Sequence, residues 1–192
     1  MENNKEKMRI VGGIYKGKKI DFIKNETTRP LRDFVKESLF NIILHSKRIK
    51  NDLRFSKVLD LYCGVGSFGI ECISRGAKEL VFVDADKKAN KTLEKNLKLV
   101  GNPRNYRTFN LLVEKSIKLL QDEKFDIFFL DPPYKDNKFV TSLGLIKNFK
   151  IYNKNNLVIL HRENNHLNMP DFIDVIFEKK YGRSKLIFGK IK

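Results

Sequence analysis

From Lys57 onward, short apolar runs alternate with amphipathic stretches: KVLDLY, a glycine-rich turn, FGIECISRG, ELVFVD, DKKANKTLEKNLKLVG, NYRTFN, VEKSIKLLQ and FDIFFLD. Uniformly apolar strands separated by helical segments form βαβ units, and such units build a parallel sheet covered on both faces. After FDIFFLD the spacing predicts a helix ending near Asn148, a buried strand in NNLVILHR, and two strands meeting at Tyr181-Gly182 as an antiparallel edge hairpin. The expected class is therefore α/β, with a mostly parallel seven-stranded sheet and a C-terminal antiparallel hairpin.

The N-terminal part follows a different pattern. Residues 1–7 are polar and charged and read as a disordered tail, with Met8 as the start of order. RIVGGIYKGKKID reads as two short strands around Gly12, Gly13 and Gly17, with Ile10, Ile14 and Ile20 sharing one face. In TTRPLRDFVKESLFNIILHS, residues Phe34, Val35, Leu39, Ile42 and Ile43 recur at helical spacing behind Pro30, which suits a helix start. The expected organisation is a tail over 1–7, a basic extension over 8–50 and one main domain over 51–192. A chain of 192 residues, 41% hydrophobic, needs only one such domain.

Charge narrows the partners. The chain carries 39 Lys and Arg against 23 acids, a net charge of +16. Its field attracts polyanions, so nucleic acid is the leading partner, against the alternative that a lysine-rich composition has spread over solvated faces. The imbalance is marked in the ribbon and first helix, as expected of a phosphate-binding surface, against the alternative of ordinary solvated lysines. Cys63 and Cys72, nine apart without a CxxC pair or paired histidines, suit a reducing cytosol and imply no metal. MENNKEKMRIV lacks the apolar stretch of a signal peptide, and no run approaches the ~20 apolar residues of a membrane span. A cytoplasmic monomer without a membrane partner is expected.

Gly64-x-Gly66-x-x-Gly69 follows the first strand of the main domain and opens a helix, and Asp84 ends the next strand. The glycines permit a tight turn and close approach of a ligand, the helix start offers free N–H groups, and an acid at the second strand end can accept from ribose hydroxyls. A plain strand-to-helix turn would use the same glycines. A dinucleotide is disfavoured by Asp60, an acid just ahead of the loop that would repel a pyrophosphate. S-adenosylmethionine, with an adenosine, a sulfonium and an α-amino group, fits both Asp60 and Asp84.

FDIFFLDPPYKDN ends its strand on Asp131-Pro132-Pro133-Tyr134. Two prolines stop the strand and fix the backbone, so the Asp131 carboxylate and the Pro132 carbonyl become a rigid pair of acceptors at the sheet edge where α/β proteins bind ligands. An exocyclic base amine is a poor nucleophile, and two acceptors holding its hydrogens aim its lone pair. Tyr134 offers a face on which a flipped base can stack. The alternative is a proline stop after a buried strand.

On these residues the chain resembles S-adenosylmethionine-dependent N-methyltransferases with a [DNS]-P-P-[YF] motif. More closely it resembles the bacterial RsmD family, through MRIVGGIYKGKKI, TRPLRDFVKESLFNII, VLDLYCGVGSFGIECISRGA, VFVDAD, FLDPPY and YGRSKLIF in the family's order. The resemblance implies a Rossmann-like methyltransferase fold and methylation of guanine N2 in 16S ribosomal RNA of the small subunit. It further implies Asp60, Gly64, Gly66, Gly69 and Asp84 as cofactor residues, Asp131, Pro132, Pro133 and Tyr134 as the base site, Lys16, Lys18, Lys19, Arg29, Arg32 and Lys36 as RNA contacts, and Asn110 as the adenine contact, although FNLLVEKS departs from the family's Asp-Ala there. The competing readings are a DNA adenine N6-methyltransferase and a nonenzymatic RNA-binding assembly factor; a nicotinamide oxidoreductase is disfavoured by Asp60 and leaves DPPY unexplained. Cys63 is read as a small loop residue, because nitrogen methylation needs no covalent nucleophile. His161 and His166, five apart near the fifth strand, read as surface or packing residues, and His45 closes a helix whose C-terminal dipole suits it; none receives a role.

Overall fold

A computed structural model describes residues 7–23, 31–133, 137–165 and 167–192. The expectations for the first six residues, Arg29, Tyr134 and His166 lie outside the described residues.

The ribbon is β1 (Lys7–Arg9) paired antiparallel with β2 (Lys19–Asp21). Lys7, expected in the tail, is part of this ribbon and pairs with Asp21. Helix α1 (Asp33–His45) follows. The main sheet is built from β3 (Lys57–Leu61), β4 (Glu79–Val83), β5 (Tyr106–Phe109), β6 (Phe125–Leu130), β7 (Tyr152–Glu163), β8 (Ile173–Tyr181) and β9 (Ser184–Ile191). Between them run α2 (Ser67–Ser74), α3 (Lys87–Leu99), α4 (Val113–Leu119) and α5 (Lys138–Asn148). Asp86 starts α3 by accepting from the backbone N–H groups of Lys88 and Ala89, which occupies two donors that have no partner inside the helix. Among the described residues no helix is long and apolar enough to cross a membrane.

The strand order is β5-β4-β3-β6-β7-β9-β8. The first five strands run parallel, and the β8–β9 hairpin pairs antiparallel to β7, as the sequence pattern predicts. The chain winds outward from β3 to β5 and then returns to place β6 on the other side of β3. The order therefore reverses at β3, which opens the ligand crevice of such sheets beyond the carboxyl ends of β3 and β6.

Alternation along each strand feeds two cores. Val58, Ile127, Phe129, Leu157 and Ile159 pack with α1, α2 and α3, while Leu59, Leu61, Phe128, Leu130, Val158 and Leu160 pack with α4 and α5. On the first face Phe68 of α2 stacks on Phe129, ring centroids 4.0 Å apart, and Phe40 of α1 stacks on Phe68 at 5.5 Å. Buried apolar residues of the described N-terminal extension join this same cluster, among them Met8, Ile10, Ile20, Phe22, Val35, Leu39 and Phe40.

Three N-terminal expectations need correction. Ile14 is 79% exposed, because Gly13–Tyr15 forms a short 3-10 turn and leaves the period of the strands. Phe34 is 69% exposed, and its ring meets Tyr181 edge-on at 5.9 Å instead of entering the core. Lys36 is 1% exposed, so it is not a phosphate contact. Its ammonium donates to the Arg9 carbonyl, pairs with Asp33 at 3.2 Å and faces the buried Glu71 of α2 at 4.0 Å.

Candidate active site at the carboxyl edge of the sheet

Asp60 lies inside β3, beside Phe82 of β4 and Phe129 of β6, and its side chain points to the first face, toward α2. Its Oδ2 accepts from the Gly69 N–H at 3.0 Å, while Oδ1 is buried with no hydrogen-bond partner among the described residues. Burial pushes the Asp60 carboxyl well above the usual carboxylate range, and the carboxylates of Asp131 and Asp84 push it the same way. A cationic ligand would relieve both effects, and a pyrophosphate would worsen them.

The glycines of the loop answer different demands. Gly64 (φ 55°) and Gly66 (φ 84°) adopt left-handed backbone, and Gly66 caps α2. Gly69 is a matter of space: a Cβ there would come within 2.2 Å of the Phe82 ring, so its absence lets α2 lie directly on β4. Tyr62, between β3 and the loop, is left-handed at φ 58° although it is not glycine, and its hydroxyl reaches Ser142 of α5 at 2.9 Å. Strain of this kind gathers at functional sites, and sequence alone gives no signal for it.

Asp84 follows β4. Its Oδ2 accepts from the Gly64 N–H at 2.7 Å and its Oδ1 from the Asp86 N–H at 2.8 Å, which ties the strand end to the glycine loop. Each oxygen keeps a second lone pair for a ligand hydroxyl. Burial raises the Asp84 carboxyl against these backbone donors. Asn110, after β5, is exposed and accepts from the Asn90 amide at 3.2 Å, so it stands on the Asp84 side of the crevice. Cys63 is buried, and burial, with Asp60 and Asp84, pushes its thiol well up, which leaves no thiolate for attack.

Asp131 follows β6, one step beyond the Leu130–Leu160 pair. The structure gives it a partner that the sequence reading missed: its Oδ1 lies 2.8 Å from Nδ1 of His161, a residue of β7 that is 4% exposed. Burial disfavours the charged ring of His161, but the carboxylate beside it prevails and the net shift is upward. Arg162, the next residue, donates to the Pro133 carbonyl at 2.8 Å and lies 3.5 Å from that of Pro132. The local signal would have been the polar pair His161-Arg162 directly following the apolar run 157–160.

Asp60, Gly64, Gly66, Gly69, Asp84 and Asp131 to Pro133 thus meet at one sheet edge, with Asn110 at its flank. The exposed cations Lys16, Lys18 and Lys19 belong to the ribbon, and Arg32 to the start of α1.

Residues 8–190 match the family described as Conserved hypothetical protein 95. The chain is 31% identical to ribosomal RNA small subunit methyltransferase D of Haemophilus influenzae, covering 94% of this chain and 92% of the relative. It is 34% identical to the protein of that name in Buchnera aphidicola, over 82% of this chain and 78% of the relative. A solved Escherichia coli structure, provisionally named a methyltransferase, superposes with a TM-score of 0.79 at 24% identity, over 97% of this chain and 99% of that one. Another provisionally named methyltransferase, solved with SAH bound, superposes at 0.68 with 14% identity, over 90% and 53%. The two structures share the Rossmann-like fold. The match over residues 8–190 and these two ribosomal RNA small subunit methyltransferases D together place this chain in the RsmD family.

Proposed function

We propose that this protein transfers a methyl group from S-adenosylmethionine to the exocyclic N2 amine of a guanine in small-subunit ribosomal RNA. The observation that carries the reading is the meeting at one sheet edge of Asp60, buried with one oxygen that has no partner among the described residues, and Asp131, held by His161 beside two proline carbonyls. The names of the relatives support ribosomal RNA as substrate, and the guanine nitrogen follows from the resemblance to the RsmD family.

S-adenosylmethionine, when bound, supplies a methyl group on a positively charged sulfur; Asp60, the Gly64–Gly66–Gly69 loop and Asp84 are the residues that hold it. Asp60 counters the ligand's cationic end, and Asp84 receives ribose hydroxyls. Asp131 and the Pro132 carbonyl accept hydrogen bonds from the two amine hydrogens, which favours a pyramidal nitrogen and turns its lone pair toward the donor; as the N–C bond forms the sulfur–methyl bond breaks, and one amine proton is released to water. Tyr134 takes the role of stacking the flipped base on sequence grounds alone. Lys16, Lys18, Lys19, Arg29 and Arg32 bind phosphates, and Lys36 leaves that set.

The test is incubation with methyl-labelled S-adenosylmethionine and either small-subunit RNA, naked or in assembled particles, or duplex DNA. Label on guanine N2 of the RNA is expected, and label in DNA alone overturns the reading. Neutralising Lys18, Lys19 and Arg32 should weaken RNA binding and flatten its salt dependence by about 0.7–0.9 in log–log slope per lost phosphate contact. An unchanged slope would place the RNA surface elsewhere.

A further inference from the structure

We infer that His161 and Arg162 are positioning residues of the base site: two consecutive side chains of β7, one on each face of the sheet, hold the Asp131 carboxylate and the proline carbonyls from opposite sides. The inference rests on the function proposed above.

The geometry follows from strand alternation. Leu157 and Ile159 face the core shared with α1 and α2, and His161 continues that row; Val158 and Leu160 face the α5 side, and Arg162 continues theirs. The Arg162 guanidinium lies over the ring of Phe139 of α5 at 5.3 Å, which confirms its face and fixes its plane. Both residues are nearly inaccessible, 4% and 3% exposed, directly after the buried apolar run 157–160. From these opposite faces both reach the segment that leaves β6, His161 at 2.8 Å from Asp131 and Arg162 at 2.8 Å from Pro133.

Each contact has a distinct consequence. A carboxylate has two oxygens, and a donor fixed by burial on Oδ1 sets the carboxyl plane and leaves Oδ2 for an amine hydrogen. The Arg162 bond is short to Pro133 and long to Pro132, so the anchor falls on the carbonyl that the amine does not need. Aligning acceptors before the substrate arrives removes reorganisation from the reaction itself, where a misplacement of about 1 Å costs on the order of a hundredfold in rate.

The test compares kcat on ribosomal RNA with cofactor affinity measured by calorimetry. His161→Leu keeps an apolar fill but donates nothing, and is expected to lower kcat by about tenfold or more while the Kd for S-adenosylmethionine stays within about twofold. His161→Asn places an amide N–H where Nδ1 stood and should regain most of that loss. Arg162→Met keeps the stem over Phe139 without the guanidinium and should also lower kcat by about tenfold. Should His161→Leu fail to fold, His161→Ala against His161→Asn decides the same point. An Asn variant no faster than Leu or Ala, or either loss variant within about fivefold of wild type, overturns the inference. Wild-type protein that labels no RNA overturns the functional reading, and the inference with it.

Discussion

The two ends of the central sheet treat charge in opposite ways. At the amino end, Lys57 of β3, Glu79 of β4, Arg107 of β5 and Glu123 ahead of β6 close a ring of ion pairs. Lys57 lies 3.2 Å from Glu79 and 2.5 Å from Glu123, while Arg107 lies 2.8 Å from Glu79 and 2.6 Å from Glu123. Arg107 holds the Glu123 carboxyl down to about 2, with help from Lys57, and Arg107 is itself shifted upward. At the carboxyl end, Asp60 and Asp84 are shifted upward by burial, and one Asp60 oxygen has no partner among the described residues. The sheet therefore carries one end that neutralises itself and one end whose charge awaits something brought from outside.

The strongest test of this contrast is Asp131→Ala, which should lower methyl transfer by about a thousandfold or more while cofactor affinity is largely kept. Equal activity would mean that the unneutralised end is not the reacting end. Next is Asp60→Asn, expected to weaken S-adenosylmethionine binding by about tenfold to a hundredfold. Because the folded-state carboxyl lies above its unfolded value of 3.8, its contribution to stability is complete below that value and is lost as pH rises. At neutral pH the Asn variant without ligand should therefore melt no lower than wild type; a clear loss of Tm would show that Asp60 serves the fold. Glu123→Gln should do the reverse, costing on the order of 1–3 kcal/mol at pH 7. Its carboxyl is depressed from 4.5 to about 2, so this contribution is present above 4.5 and fades as pH falls toward 2. Urea melts across that range should show the mutant and wild type converging, and a constant gap would refute the ion-pair explanation.

Much of this was legible in the residues. Alternating runs announce the sheet, and the prolines and glycines mark both loops, since each of these signals depends on near neighbours in sequence. The role of His161 is invisible in sequence because its partner lies 30 residues earlier and becomes adjacent only through the β6–β7 register. Lys36 looked like one more surface cation, yet Lys36, Leu39, Phe40 and Ile43 follow helical spacing and are all buried. The apolar stripe ran through a lysine, and Glu71, equally out of place in the apolar FGIECIS helix, was its complement. Phe34 went the other way, because helical spacing identifies a stripe but cannot tell its margin from its centre.

The ribbon's hold on α2 bears on how the chain can be cut. Glu71 accepts from the Val11 N–H, Ser74 donates to the Gly12 carbonyl at 2.6 Å, and the Arg75 guanidinium lies over Phe40 so close to Gly12 that no side chain would fit there. A fragment starting at residue 51 would keep the glycine loop and the DPPY segment but open this seam. Glu71 would then face solvent without its lysine, and α2 would lose the layer that presses it onto β4. A boundary that looks like a linker by composition is, mechanically, a weld, and proteolysis or truncation at that point should release an unfolded remainder instead of a smaller enzyme.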